Sequence, residues 1–166
     1  MTAFVTSGTC GARVTDVFAA PAPFGVGTVL NLSDGGSMIF VKALSEISTY
    51  AYALAYADGT AQMCTTTLAT TAGTSSTKRG GWAQNSIPSG YYGWLQISGT
   101  PIGNLAANCD DQAPLYTTAT AGVLDDATVS GGLVAGAVGQ TTISNATAST
   151  CLGSTQVHVG RYGGGA

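Results

Sequence analysis

Residues 80–99 read GGWAQNSIPSGYYGWLQISG. Two short runs rich in Trp, Tyr, Leu and Ile flank Pro88-Ser89-Gly90. Aromatic and β-branched side chains suit a pleated, half-buried surface, and Pro-Ser-Gly supplies a bend, so the stretch predicts a β-hairpin. It holds neither a charge nor a His. Nothing in it moves a proton at neutral pH; its chemistry is that of packing and pairing.

The neighbouring sequence has the same texture. In TYAYALAYA (49–57), Tyr50, Tyr52, Leu54 and Tyr56 alternate with Ala51, Ala53, Ala55 and Ala57. A helical period of 3.6 would scatter the large side chains, whereas a strand gathers all four on one face and the alanines on the other. The tyrosine row reads as core or subunit interface rather than as a platform for sugars. Asp58-Gly59 suits a type I′ turn into a partner strand in AQMCTTTLATT (61–71), completing a hairpin. Upstream, TVLNL (28–32), SDGG (33–36) and SMIFVKAL (37–44) predict strand, turn and strand, and VKALSEIS (41–48) has room for one helical turn. Downstream, short strands are expected at Leu105-Ala107, Leu115-Thr120, LVAGAVGQTT (133–142) and STQVHVGRY (154–162), with a turn at Ala121-Gly122.

Many short strands with frequent turns predict an all-β fold, a compact β-barrel, β-tulip or sandwich of short antiparallel strands. Three parts are expected: an extended N-terminal arm (1–27), a β domain (28–162) and a flexible Gly-rich end (163–166). The arm is interrupted by Gly8, Gly11, Pro21, Pro23, Gly25 and Gly27, yet it carries Phe4, Val17, Phe18 and Phe24. Those side chains are too apolar for a tail that stays in water, so the arm lies either on a neighbour or on its own domain.

Charged residues make up 8% of the 166-residue chain, against roughly 25% in an ordinary soluble domain. Few ions would lose water if another protein covered such a surface, which favours life inside an assembly. The alternative is a small neutral β domain kept soluble by hydroxyls and amides. A net charge of −3, with Lys78-Arg79 the one adjacent cationic pair, argues against gripping phosphates, so no nucleic-acid partner is expected. No apolar run approaches the ~20 residues of a membrane-spanning helix, and no membrane partner is expected.

Cys10, Cys64, Cys109 and Cys151 form no Cys-x-x-Cys pair, which disfavours a zinc knuckle. Their even number permits two disulfides. A chain of this length needs no staples, and MTAFVTSGTCGARV lacks the basic start and apolar stretch of a secretory signal. Free, mostly buried thiols and synthesis in the cytosol are therefore expected.

The inventory for catalysis is poor. His158, the sole histidine, alternates with Val157 and Val159 on a predicted strand. Serines abound, but no G-x-S-x-G elbow is present. Asp110-Asp111 and Asp125-Asp126 fall in turns, where such pairs usually cap or solvate the bend. A glycosidase needs two carboxylates facing one another across its substrate, and sequence alone does not set Asp110 opposite Asp125. A divalent ion in such a loop is conceivable, although the spacing is not that of an EF-hand. No phosphate-cradling loop occurs. The reading is a non-enzyme with no catalytic residue, no metal site and no cofactor.

WAQNSIPSGYYGWLQISG, followed by APLYTTATAGVLDD, resembles head decoration (capsid cement) proteins of tailed bacteriophages, including those of marine and cyanobacterial phages. GTVLNLSDGGSMIFVKALSEIS (27–48) resembles their first hairpin. The resemblance spans roughly residues 25–130; it lies in texture and order, and residues 1–24 and 140–166 fall outside it. It implies a compact β-barrel or β-tulip that assembles as trimers or dimers on the outside of an icosahedral head, bridges adjacent major capsid subunits and stabilises the shell. The partners implied are the major capsid protein and the chain itself, and the location is the capsid exterior. The residues with the right character for capsid or subunit contact are Phe4, Phe18 and Phe24 of the arm and Trp82, Tyr91 and Tyr92, expected to be exposed, whereas Trp94 and Leu95 read as core. The alternative is a fibre, tail or surface module that binds glycans.

Overall fold

The computed structural model describes residues 11–70, 79–130 and 132–152. The 80–99 stretch forms its hairpin: β6 (Arg79–Ala83) and β7 (Tyr92–Ser98) run antiparallel, with Trp82 opposite Gln96 and Ala83 opposite Leu95. In the connection the Tyr91 N–H donates to the Pro88 carbonyl at 3.0 Å, and Gly90 sits at φ 80°. That bond and that left-handed φ are those of a type II turn, where a side chain at Gly90 would be strained.

Beyond the hairpin the sheet closes on itself. β7 pairs with β3 (Ser37–Ala43), which runs parallel to β5 (Thr60–Met63); β5 pairs with β4 (Tyr52–Ala55), and β4 returns to β6. These pairings make a ring of five strands in which one junction is parallel. β2 (Val29–Asn31) hangs on β3 as the predicted hairpin, and β1 (Val17–Phe18) pairs with the start of β7.

Strand alternation sorts the ring's side chains into an inside and an outside. Inside lie Ile39, Val41, Ala43, Ala53, Ala55, Ala61, Ala83, Leu95 and Ile97, joined by Ile47 and Ile87. The last two bridge one another through reciprocal backbone bonds of 2.8 and 2.9 Å. Alanines on β4, β5 and β6 face Ile, Val and Leu from β3 and β7, a mixture that suits a five-stranded ring narrower than the eight-stranded barrel whose interior side chains just fill. The alternation in 49–57 is therefore real but shorter than predicted. Only Tyr52 and Leu54 project outward from β4; Tyr50 precedes the strand at φ 62° and Tyr56 follows it.

Two layers cover the outside. Over β3 and β7, Ala12, Val14 and Leu32 pack on Met38, Phe40 and Trp94, with Phe18 and Phe24 against them. Residues 11–27, expected as an extended arm, thus lie on their own ring; Phe4 and residues 1–10 fall outside the described residues. Over β4 and β6 stands a second barrel, closed by β8 (Ile102–Leu105), β9 (Pro114–Thr117), β10 (Leu124–Asp125), β11 (Leu133–Gly139) and β12 (Thr147–Leu152). Its Leu105, Leu115, Leu124, Val134 and Cys151 form one cluster with Tyr52, Leu54 and Trp82 of the ring. Backbone bonds stitch the seam: Asn104 N–H to Tyr50 C=O, Tyr52 N–H to Gly122 C=O and Gly122 N–H to Cys64 C=O, each 2.8 Å. Gly103 is required there, since a Cβ would collide with the Trp82 indole nitrogen and stand 3.0 Å from Cys151 Sγ.

Some local expectations fail. Residues 61–71 do not continue as a strand; β5 stops at Met63, and α1 (Thr66–Thr70) follows. Thr65 caps it, its Oγ1 accepting the Leu68 N–H at 3.2 Å, and a capping hydroxyl before Leu and Ala outweighs the β preference of threonine. VKALSEIS makes no helical turn, because Val41–Ala43 complete β3 and Ile47 bridges Ile87. The predicted strand 154–162 and the Gly-rich end lie outside the described residues.

Ala53→Leu is expected to overpack the ring and lower stability by about 1–3 kcal/mol in urea unfolding. Trp82→Ala is expected to cost about 3–5 kcal/mol, through the cavity it opens at the seam. Tyr52→Phe should be neutral or stabilising, because its buried hydroxyl has no hydrogen-bond partner among the described residues.

Candidate functional site

The predicted contact aromatics separate by position. Trp82, expected at the surface, is 2% exposed and belongs to the seam; this corrects the sequence reading. A strand places alternate side chains on opposite faces, and the face that Trp82 occupies is the one the second barrel covers. Phe18 and Phe24 are half-buried, Phe24 lying 5.4 Å from Phe40 and 5.2 Å from Trp94, centroid to centroid. Tyr92 is half-buried and stacks on Phe40 at 6.0 Å. Tyr91 is 42% exposed. Trp94 and Leu95 are core, as expected.

Around Tyr91 the structure assembles a rim that the sequence did not disclose. Val26, Val29 and Leu44 are exposed at 42%, 42% and 53%. Val26 packs over Gly59, whose carbonyl accepts the Lys42 N–H. Leu44 N–H donates to Ala61 C=O, and Ala43 N–H to Tyr91 C=O, each at 2.9 Å. Val26, Leu44 and Tyr91 therefore line the end of β3, where the N-terminal layer stops. Among them Lys42 holds its ammonium 5.7 Å from the centre of the Tyr92 ring, a cation–π contact. No pattern in the sequence marks Leu44 as exposed, because it reads as the last apolar residue of a strand.

The acidic pairs do come together in the second barrel. The Asp110 N–H donates to Asp126 Oδ2 at 2.8 Å, the Cys109 thiol to Asp125 Oδ1 at 3.5 Å, and the Ala127 N–H to the same oxygen at 3.4 Å. Cys109 Sγ and one oxygen each of Asp125 and Asp126 lie within 4.8 Å of one another. A thiol and two carboxylates make a donor set that zinc accepts. Here each already serves a neighbour, and the corner latches the turn after β8 to the turn after β10. The Asp111 N–H bonds Thr142 Oγ1 at 3.2 Å, which fixes the same turn to the β11–β12 connection.

Cys64, Cys109 and Cys151 are buried, and Cys109 and Cys151 are free thiols; Cys10 and His158 lie outside the described residues. Burial above all raises Cys109, with the Asp125 and Asp126 carboxylates adding to it against a lowering backbone contact at Asp126, to about 11. Burial likewise pushes Cys151 up to about 12. Both are neutral, shielded and poor nucleophiles. Burial, and secondarily Cys64, also raises the Tyr52 phenol. These groups hold protons firmly and do not exchange them near neutral pH.

No protein-family model and no curated protein matches the chain. Among solved structures, the head fiber gp8.5 N base of bacteriophage phi29 has a TM-score of 0.49 and 12% sequence identity, over 73% of this chain and 96% of that one.

Cys109 and Cys151 are expected to resist a thiol reagent at pH 8 in the folded protein and to react in denaturant. Their folded pKa values exceed those of unfolded thiols, so their contribution to stability is complete below about pH 8.5 and lost as pH rises through 11 to 12. Urea midpoints should fall across that alkaline window, and less so in a Cys109→Ala/Cys151→Ala double variant.

Proposed function

We propose that this chain is a structural protein of a phage virion: a decoration protein that binds the outside of an icosahedral head, bridges adjacent major capsid subunits and stabilises the shell without catalysis. The observation that carries this reading is a charge content of 8% on an all-β body made of two closed five-stranded rings. A surface so poor in ions loses little hydration when covered, and a body closed in this way is a rigid block. The sequence resemblance over residues 25–130 points to the same role. Many copies, each with a modest contact, act together on a lattice of identical subunits.

The chemistry of the described residues suits this role better than catalysis. The thiols of Cys109 and Cys151 are buried and held neutral, and the carboxylates of Asp125 and Asp126 are occupied in capping turns.

The test is to add purified protein to heads assembled from the same virus's major capsid protein. Saturable binding, density on the outer surface spanning two capsid subunits in a reconstruction, and a higher temperature of head disruption are expected. Heads that stay bare, or specific micromolar binding on a glycan array instead, would overturn the reading. A hydrolytic activity abolished by His158→Ala would overturn the non-catalytic part.

A further inference from the structure

The fold closes nearly all of its strand edges. The second barrel is complete, and β3, β7, β6, β4 and β5 close the ring. Among the described residues, the open edges belong to β1, two residues long, and β2. On β2 the alternation of backbone direction is fixed. Thr28 C=O accepts the Phe40 N–H and Leu32 N–H donates to Gly36 C=O, each at 2.8 Å, with Leu30 opposite Met38. Even-numbered residues therefore face β3, while Val29 and Asn31 turn their N–H and C=O groups outward. Both residues are exposed. An outward row of this kind is a template for an added strand.

The edge meets the apolar rim. Val26, three residues before Val29, packs over Gly59, and Leu44 and Tyr91 follow across the end of β3. A few side chains exposed at 42–53% offer on the order of 300 Å². A stable pair of proteins needs ~800 Å² from each partner. This strip is too small to hold a second copy in solution and sufficient for a contact repeated over a lattice. Lys42 is exposed in this strip and stands over Tyr92, while Asp58 beside Gly59 is engaged by the Thr60 N–H and hydroxyl, so a matching occupant supplies an acidic group for Lys42 among apolar ones.

We propose that the open edge of β2 and the Val26–Leu44–Tyr91 rim dock an extended, largely apolar segment of the shell protein, which adds a strand to Val29–Asn31 and sets a carboxylate against Lys42. This rests on the reading of the chain as a head-binding protein and names the surface it uses.

Val29→Pro and Asn31→Pro remove only outward-facing donors, which edge strands tolerate. Each should weaken binding to assembled heads by about tenfold, the loss of one or two main-chain bonds, with an unchanged melting temperature. Leu44→Asp with Tyr91→Asp should do the same, and Lys42→Glu should weaken binding more than Lys42→Gln. Variants that decorate heads as well as the parent protein would overturn the docking strip and leave the head-binding role standing; a parent protein that ignores heads would overturn that role itself. A self-association in sedimentation that these same substitutions abolish would make the occupant a second copy and overturn the assignment to the shell, whereas an assembly state they leave unchanged is expected.

Discussion

Strand β4 has no face turned to water. Its alanines enter a five-stranded ring already filled by Ile, Val and Leu from the neighbouring strands, and Tyr52 and Leu54 enter the core of the adjoining barrel. Both faces must be satisfied at once, so the two rings cannot be separated without baring an aromatic and aliphatic surface. Trp82 on β6 obeys the same constraint, edge-on to Tyr52 at 5.0 Å and pressed against Gly103. Burying three such side chains contributes on the order of 5–9 kcal/mol before any conformational cost.

A second dependence follows at the opposite wall. Met38, Phe40 and Trp94 also point out of the ring, and the chain covers them with residues 12–32. The cover is an aromatic layer in which Phe18, Phe24, Phe40, Tyr92 and Trp94 meet at 4.8–6.4 Å between centroids. Where it ends, past Tyr92, the outward row of β3 continues into Lys42 and Leu44, with Tyr91 bonded beside them at Ala43. The rim is thus the part of the sheet that the described residues leave uncovered.

Period and turn chemistry made much of this legible. The bend at Pro88-Ser89-Gly90 formed, the alternation of 49–57 formed over Tyr52–Ala55, and the chain does turn at 56–59, though with positive φ at Gly59 alone rather than at Asp58 and Gly59 as a type I′ turn requires. What escaped was whatever depends on pairs distant in sequence. Trp82 and Trp94 look alike in the string, yet which wall covers each depends on the second barrel and on the N-terminal layer. Leu124-Asp125 and Thr147–Leu152 carry no strong strand signature; they are strands because β8 accepts both as neighbours. The approach of Asp110 to Asp126 follows from that same closure. The burial of Cys109 and Cys151 was predictable from residue type, since unpaired cysteines favour cores; their neighbours were not.

The order of the strands along the chain has a consequence for biosynthesis. Every strand of the first ring lies before residue 99, and every strand of the second after residue 101. A ribosome releases the amino-terminal part first, and folding units tend to form in that order. The first ring can close while the rest is still being translated, with Tyr52, Leu54 and Trp82 exposed as a sticky wall in the nascent polypeptide. Emergence of the later strands then buries that wall, so translation halted between the two rings would leave an aggregation-prone surface.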